Sequence, residues 1–182
     1  YYIIKTQFLF LFEEYEQALK TAQKTDGQLE SIIANIALPE HCFYYALTLT
    51  YLYPSASGKD KKLYLKILKK KLKLFKKWSD NAPENFEHKY LLVKAQTAHL
   101  LGKKKSVAEL YEQAIKSAEE NGYAQNQAIA GECAAKYFLD IGFLTIARAY
   151  MTQAHYQYCQ WGAAAKAAFI EKKYPNLLSA VN

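Results

Sequence analysis

Glycine and proline are scarce in this chain of 182 residues, with seven and four copies. That disfavours a turn-rich β fold and favours long helices joined by short turns. Arginine is nearly absent: Arg148 is the one arginine among 24 basic residues. Proteins that read DNA bases rely on arginine for bidentate contacts to guanine. The scarcity therefore argues against sequence-specific nucleic-acid recognition, while loose attraction to phosphates stays open. The three cysteines, Cys42, Cys133 and Cys159, are odd in number and lack CxxC spacing. That argues against a disulfide framework and a structural zinc site, and reduced thiols in the cytoplasm are expected. The apolar run "FLFLF" near the start sits in a stretch of about a dozen residues that contains Lys5 and Gln7. It falls short of the ~20 apolar residues of a membrane span, and no signal peptide is visible. An initiator methionine is also missing, and the chain starts inside an apolar helical pattern. A single domain cut from a longer protein is the expectation.

What is present is material for a core, since 51% of the residues are hydrophobic. The pattern predicts nine helices, near residues 2–12, 14–25, 38–53, 59–79, 85–101, 104–120, 124–140, 143–160 and 162–173. No strand is predicted. Breaks fall at Asp26-Gly27, Pro39, Pro54, Pro83, Gly102, Asn121-Gly122, Gly142, Gly162 and Pro175, where glycine can cap and proline can stop a helix. Residues 26–37 allow a short turn of helix. Along 104–120, Val107, Leu110, Tyr111, Ala114, Ile115 and Ala118 recur at helical spacing and line one face. About 40 residues on the pattern returns: Gly102, Tyr111 and Ala114 correspond to Gly142, Met151 and Ala154. Paired helices repeating at such a period are the mark of a tetratricopeptide-like α-solenoid, whose usual repeat is about 34 residues.

Charge is concentrated in one place. Residues 59–77 hold ten lysines and one acid, Asp60, a net +9; the rest of the chain holds 14 basic and 16 acidic residues. On a helical wheel Leu63, Tyr64, Leu65, Ile67, Leu68, Leu72, Leu74, Phe75 and Trp78 take one arc, and the lysines take the opposite one. Lys71 alone falls in the apolar arc, where its stem could lie on the core with its ammonium in water. A packed helix with a solvated lysine face is the leading reading. A membrane-surface helix and a ridge for an acidic partner or polyanion remain alternatives. Lys62, Lys66, Lys69, Lys73 and Lys76 are the candidate residues of such a ridge.

No chemistry assembles along the chain. The phosphate-binding GxxxxGK[ST] and GxGxxG patterns, the kinase motifs and HExxH are all absent. His155 and Cys159 stand at i, i+4, yet two ligands do not close a metal site. His41 and Cys42 are adjacent, and neighbouring helical residues point about 100° apart. No catalytic, cofactor-binding or metal-binding residue is assigned. Sixteen tyrosines are more informative. Most are expected to pack helices together, while some could line a groove that receives a peptide or helix. Tyr137, Tyr150, Tyr156 and Tyr158 are the candidates.

Several blocks carry a family likeness: "LFEEYEQAL" (11–19), "WSDNAPENFEHKYLLVKAQ" (78–96), "YEQAIKSAEENGY" (111–123), "AAKYFLDIG" (134–142) and "IARAYMTQAHYQYCQWGAAAK" (146–166). With them the chain resembles the helical-repeat segment of large bacterial, chiefly cyanobacterial, signalling proteins. Those proteins join a serine/threonine kinase, a STAND-type ATPase, helical repeats, a GAF domain and a sensor histidine kinase. Trp161-Gly162-Ala163 and Lys166 are the most specific matches. Gly131, where the family pattern has a polar residue, and the lysine-rich 59–77 segment depart from it. The helical pattern predicts an all-α, right-handed solenoid of about four hairpins closed by a capping helix at 162–173, and the resemblance implies that it serves as a non-catalytic interaction and coupling module. Its expected partner is another protein or a neighbouring domain of the same chain. Homodimerisation through exposed tyrosines is the alternative.

Overall fold

The computed structural model describes residues 1–26 and 37–178, and every regular element among them is an α-helix. The possible turn of helix within 27–36 lies outside the described residues, as do residues 179–182. Two compact units make up the chain, residues 1–78 and 79–182.

In the first unit α1 (Tyr2–Leu11) and α2 (Tyr15–Asp26) form a hairpin, followed by α3 (Ala37–Leu52) and α4 (Gly58–Asn81). Small residues at helical spacing, Ala18, Ala22 and Thr25, give α2 a narrow buried seam that lets it lie close to its neighbours. Phe10 of α1 anchors an aromatic cluster. Its ring centroid lies 5.7–5.8 Å from those of Tyr15, Tyr44 and Tyr51, and Tyr15 stacks on Tyr51 at 4.6 Å. Helix α3 is buried on every side from His41 to Thr50, which its almost uncharged sequence permits. Proline starts rather than breaks this helix: Pro39 sits in its first turn, where a missing N–H costs nothing. Ser57 and Asp60 bond reciprocally at the start of α4, with Asp60 N–H donating to Ser57 Oγ and Ser57 Oγ donating to Asp60 Oδ2. Ser57 thus acts as an N-cap and gives the lysine helix its polar beginning.

In the second unit α5 (Pro83–Leu100) pairs with α6 (Lys104–Glu120), and α7 (Ala124–Asp140) with α8 (Leu144–Gln160). All six residues of the predicted stripe on α6 are buried. Helix α7 packs against both helices of the preceding pair, the stacking that turns separate hairpins into a repeat array. Three consecutive helices, α6, α7 and α8, have 17 residues each. Each is followed by a turn with glycine at the same place. Gly122, Gly142 and Gly162, like Gly102 after α5, stand at φ 68–83°, a left-handed conformation that costs an L-residue its Cβ clearance. There the chain closes with the same long-range bond, Lys103 N–H to the Ala98 carbonyl and Phe143 N–H to the Phe138 carbonyl, the geometry of a Schellman cap.

Gly131 has a different reason. It lies inside α7 where α8 passes close, and a Cβ there would come within 3.3 Å of Ala154 Cβ. The predicted capping helix is present as α9 (Ala164–Lys173). Pro175, expected to end it, opens a further single turn, α10 (Pro175–Leu178), because proline is preorganised for the first helical position.

Candidate interaction surfaces

Helix α4 separates into three strips. Tyr64, Leu68, Lys71 and Phe75, at i, i+4, i+7 and i+11, form the buried seam. Leu65, Ile67, Leu72, Leu74 and Trp78 are half-buried, and Leu63 is exposed at 46%. The core face is thus narrower than the nine-residue arc expected from the wheel, because side chains at the edges of the arc point away from the contact line. Lys62, Lys66, Lys69, Lys73 and Lys76 are all exposed. Like charges one turn apart cost a few tenths of a kcal/mol each. Each large side chain in the seam returns ~1.5–3 kcal/mol, so the helix holds.

Lys71 corrects the expectation of an ammonium in water. It is 5% exposed. Its Nζ donates to Asp26 Oδ1 at 2.8 Å and lies 5.1 Å from the Tyr45 ring centroid. His41 Nε2 meets the same oxygen at 3.1 Å. Burial pushes the Asp26 carboxyl up, but the Lys71 and His41 bonds outweigh it and hold the group below the ordinary range. Burial lowers His41 despite Asp26, so its neutral ring donates the hydrogen bond. Adjacent Cys42 is fully buried, and burial raises its thiol pKa. It remains a thiol rather than a reactive thiolate.

The tyrosine candidates divide. Tyr158 is fully buried and Tyr137 nearly so, so neither belongs to a partner surface. Tyr137 packs against His99 at 5.0 Å and Tyr111 at 5.5 Å. Tyr158 donates its hydroxyl to Glu132 Oε2 at 2.7 Å. Tyr150 is half-buried and stacked on Phe138 at 5.3 Å, and Tyr156 is 58% exposed.

Glu132 is the centre of a buried network that joins three helices. Its Oε1 accepts from Lys136 Nζ at 2.7 Å and from Lys166 Nζ at 2.9 Å. Burial pushes this carboxyl up, yet the two ammonium groups more than reverse that and keep it ionised. Lys166 also lies over the rings of Tyr158 and Phe169. This lysine therefore fastens α9 to α7 and α8, which gives the most specific of the sequence matches a structural role. His155 turns to Glu171 Oε1 at 2.7 Å rather than to Cys159. Among the described residues no group of three His, Cys, Asp or Glu side chains could hold a metal ion, and no helix is long and apolar enough to cross a membrane.

One surface went unnoticed in the sequence. Around the α7–α8 turn, Leu139, Ile141, Phe143, Leu144 and Ile146 are exposed by 36–55%, and Leu101 of the α5–α6 turn is exposed by 48%. Beside them His99, Gly102, Lys103, Val107, Tyr137 and Ile141 line a small cavity whose open surface is mostly apolar. The signal was legible in "GFLTIA". Four glycine turns close alike, with Lys103, Tyr123, Phe143 and Ala163 after the glycine, and Phe143 is the large apolar one left exposed. A hairpin turn normally carries polar residues there.

The comparisons with known proteins agree with this architecture. A family described as CHK1-like TPR repeats matches residues 1–140. Hybrid signal transduction histidine kinase G of Dictyostelium discoideum is 36% identical over 62 residues, 34% of this chain. The matched region is only 2% of that kinase's length. No solved structure matches the chain. Paired helices, glycine-closed turns and a family match over more than three-quarters of the sequence lead to one conclusion: the chain belongs to the CHK1-like tetratricopeptide-repeat family.

Proposed function

We propose that this chain is a non-catalytic interaction and coupling module of a cytoplasmic multidomain signalling protein. It binds a partner protein or a neighbouring domain, and so biases an attached ATPase or kinase between inactive and active states. The repeat family supports protein–protein interaction. The histidine kinase similarity and the resemblance to kinase–ATPase–sensor proteins support the signalling setting. The observation that carries the reading is the apolar edge at 139–146: clustered large side chains left in water mark interaction surfaces.

The test is calorimetric titration of the chain against the separately produced ATPase and sensor domains of its parent protein. Saturable binding to one of them is expected. Phe143→Ser with Leu144→Ser should weaken it by about a hundredfold, since each buried side chain contributes ~1.5–3 kcal/mol. No binding to either domain, together with unchanged ATPase activity when residues 1–182 are deleted from the parent, would remove this reading.

A further inference from the structure

The lysine helix has a second feature besides its charge. Its central seam is already used inside the first unit, since Tyr64, Leu68 and Phe75 are at most 9% exposed. On one flank of that seam Leu63 is exposed and Ile67 and Leu74 are half-buried. These three lie along a strip ~16 Å long, at 1.5 Å of rise per residue. Lys66 and Lys70, both exposed, border the strip on its solvent side, and Lys62, Lys69 and Lys73 continue the charge outward. A narrow apolar ledge with a cationic rim runs along the helix.

The geometry points to an acidic amphipathic helix as the occupant of this ledge. Such a helix would set leucine-like residues at i, i+4 and i+11 on Leu63, Ile67 and Leu74. Carboxylates along one border would face Lys66, Lys70 and Lys73. Charge complementarity argues for it, because the segment 59–77 is +9 while the remainder of the chain is close to neutral. An anionic membrane fits less well. A helix lying in a bilayer surface needs its broad apolar face free, and here the middle of that face is packed within the protein. Nucleic acid leaves the apolar ledge without a role, and lysine supplies point charges instead of the planar forks that read bases. This surface shares no residue with the apolar edge at 139–146, so each stands or fails alone.

The test uses the whole 182-residue chain and fluorescence anisotropy with a labelled 18-residue peptide. The peptide carries a leucine stripe bordered by glutamates; a scrambled peptide has the same composition without the stripe. The amphipathic peptide is expected to bind at least about tenfold more tightly than the scrambled one, given what a short apolar contact contributes. Raising salt from about 50 to 300 mM should weaken it several-fold, because exposed ion pairs are screened. Lys66→Glu/Lys70→Glu/Lys73→Glu should abolish binding. Leu63→Ser should weaken it by about fivefold, the worth of one half-exposed leucine. Circular dichroism checks that the variants keep their helix content, which exposed positions should allow. Equal binding of the two peptides overturns the proposal, as does binding untouched by the triple reversal. Stronger binding to phosphatidylserine vesicles or polyphosphate than to the amphipathic peptide would transfer the ridge to a membrane or polyanion and also overturn it.

Discussion

His88 gives the chain a predictable weakness to mild acid. It lies in α5, is 2% exposed, and packs against Tyr123 with ring centroids 4.5 Å apart and the planes tilted by 30°. Neither ring nitrogen has a hydrogen-bond partner. Burial, with a smaller contribution from the Lys89 ammonium, lowers its pKa from 6.5 to about 3. The folded protein therefore keeps this imidazole neutral where the unfolded chain would protonate it. Because the unfolded state binds the extra proton, stability is complete above the ordinary histidine range and drains away as pH falls from about 6.5 toward 3. Each pH unit in that window costs about 1.4 kcal/mol. Between pH 7.5 and 5.0 the loss attributable to His88 is about 2 kcal/mol, a sizeable share of the usual 5–15 kcal/mol.

The comparison is with His88→Phe, which keeps a ring on Tyr123 and removes the titration. Urea unfolding followed by far-UV circular dichroism at both pH values measures each protein. Parent and variant share every other titrating group, including His41, so the difference of differences isolates residue 88. The variant should lose about 2 kcal/mol less than the parent on acidification. At pH 7.5 it should be at least as stable, because two unpaired buried nitrogens have gone. Equal pH dependence in the two proteins, or a His88 resonance that titrates near 6.5 by NMR, would refute the reasoning.

Two further predictions concern a buried ion pair and the glycines. Glu132→Gln leaves the Lys136 and Lys166 ammonium groups without their shared anion and should cost about 3 kcal/mol or more. Lys166→Met keeps a Lys136–Glu132 pair and should cost less; denaturation that ranks the two in reverse order contradicts the network. Gly142→Ala forces a side chain into a backbone conformation at φ 83° and should cost about 1 kcal/mol. Gly58→Ala, at a position with open space and no positive φ, should not lower the thermal midpoint.

The helices were legible because glycine and proline punctuate a chain otherwise rich in helix formers. The 104–120 stripe needed only spacing, and its six residues are all buried. Pairing across distance was not legible. Periodicity placed Lys71 on the apolar side of its helix, but nothing local says that Asp26, 45 residues earlier, supplies its anion. Glu132 and Lys166 look like surface charges in sequence, and only the meeting of α7, α8 and α9 makes them a buried pair. Tyr158 misled for a related reason. An amphipathic ring suits a groove or a core equally well, and what decides is whether a buried acceptor awaits its hydroxyl. The exposed edge at Phe143 opens the helix predicted over 143–160, and nothing local says whether a neighbour covers its apolar residues.

The glycines at 102, 122, 142 and 162 all take positive φ, so the second half of the chain keeps a strict twenty-residue metre. That rhythm makes it forgiving of large edits and intolerant of small ones. Excising or duplicating forty residues leaves every join in step. Losing a single residue within α7 would swing the remainder of that helix by about 100° and pull side chains that are buried on every side out of the contacts that bury them.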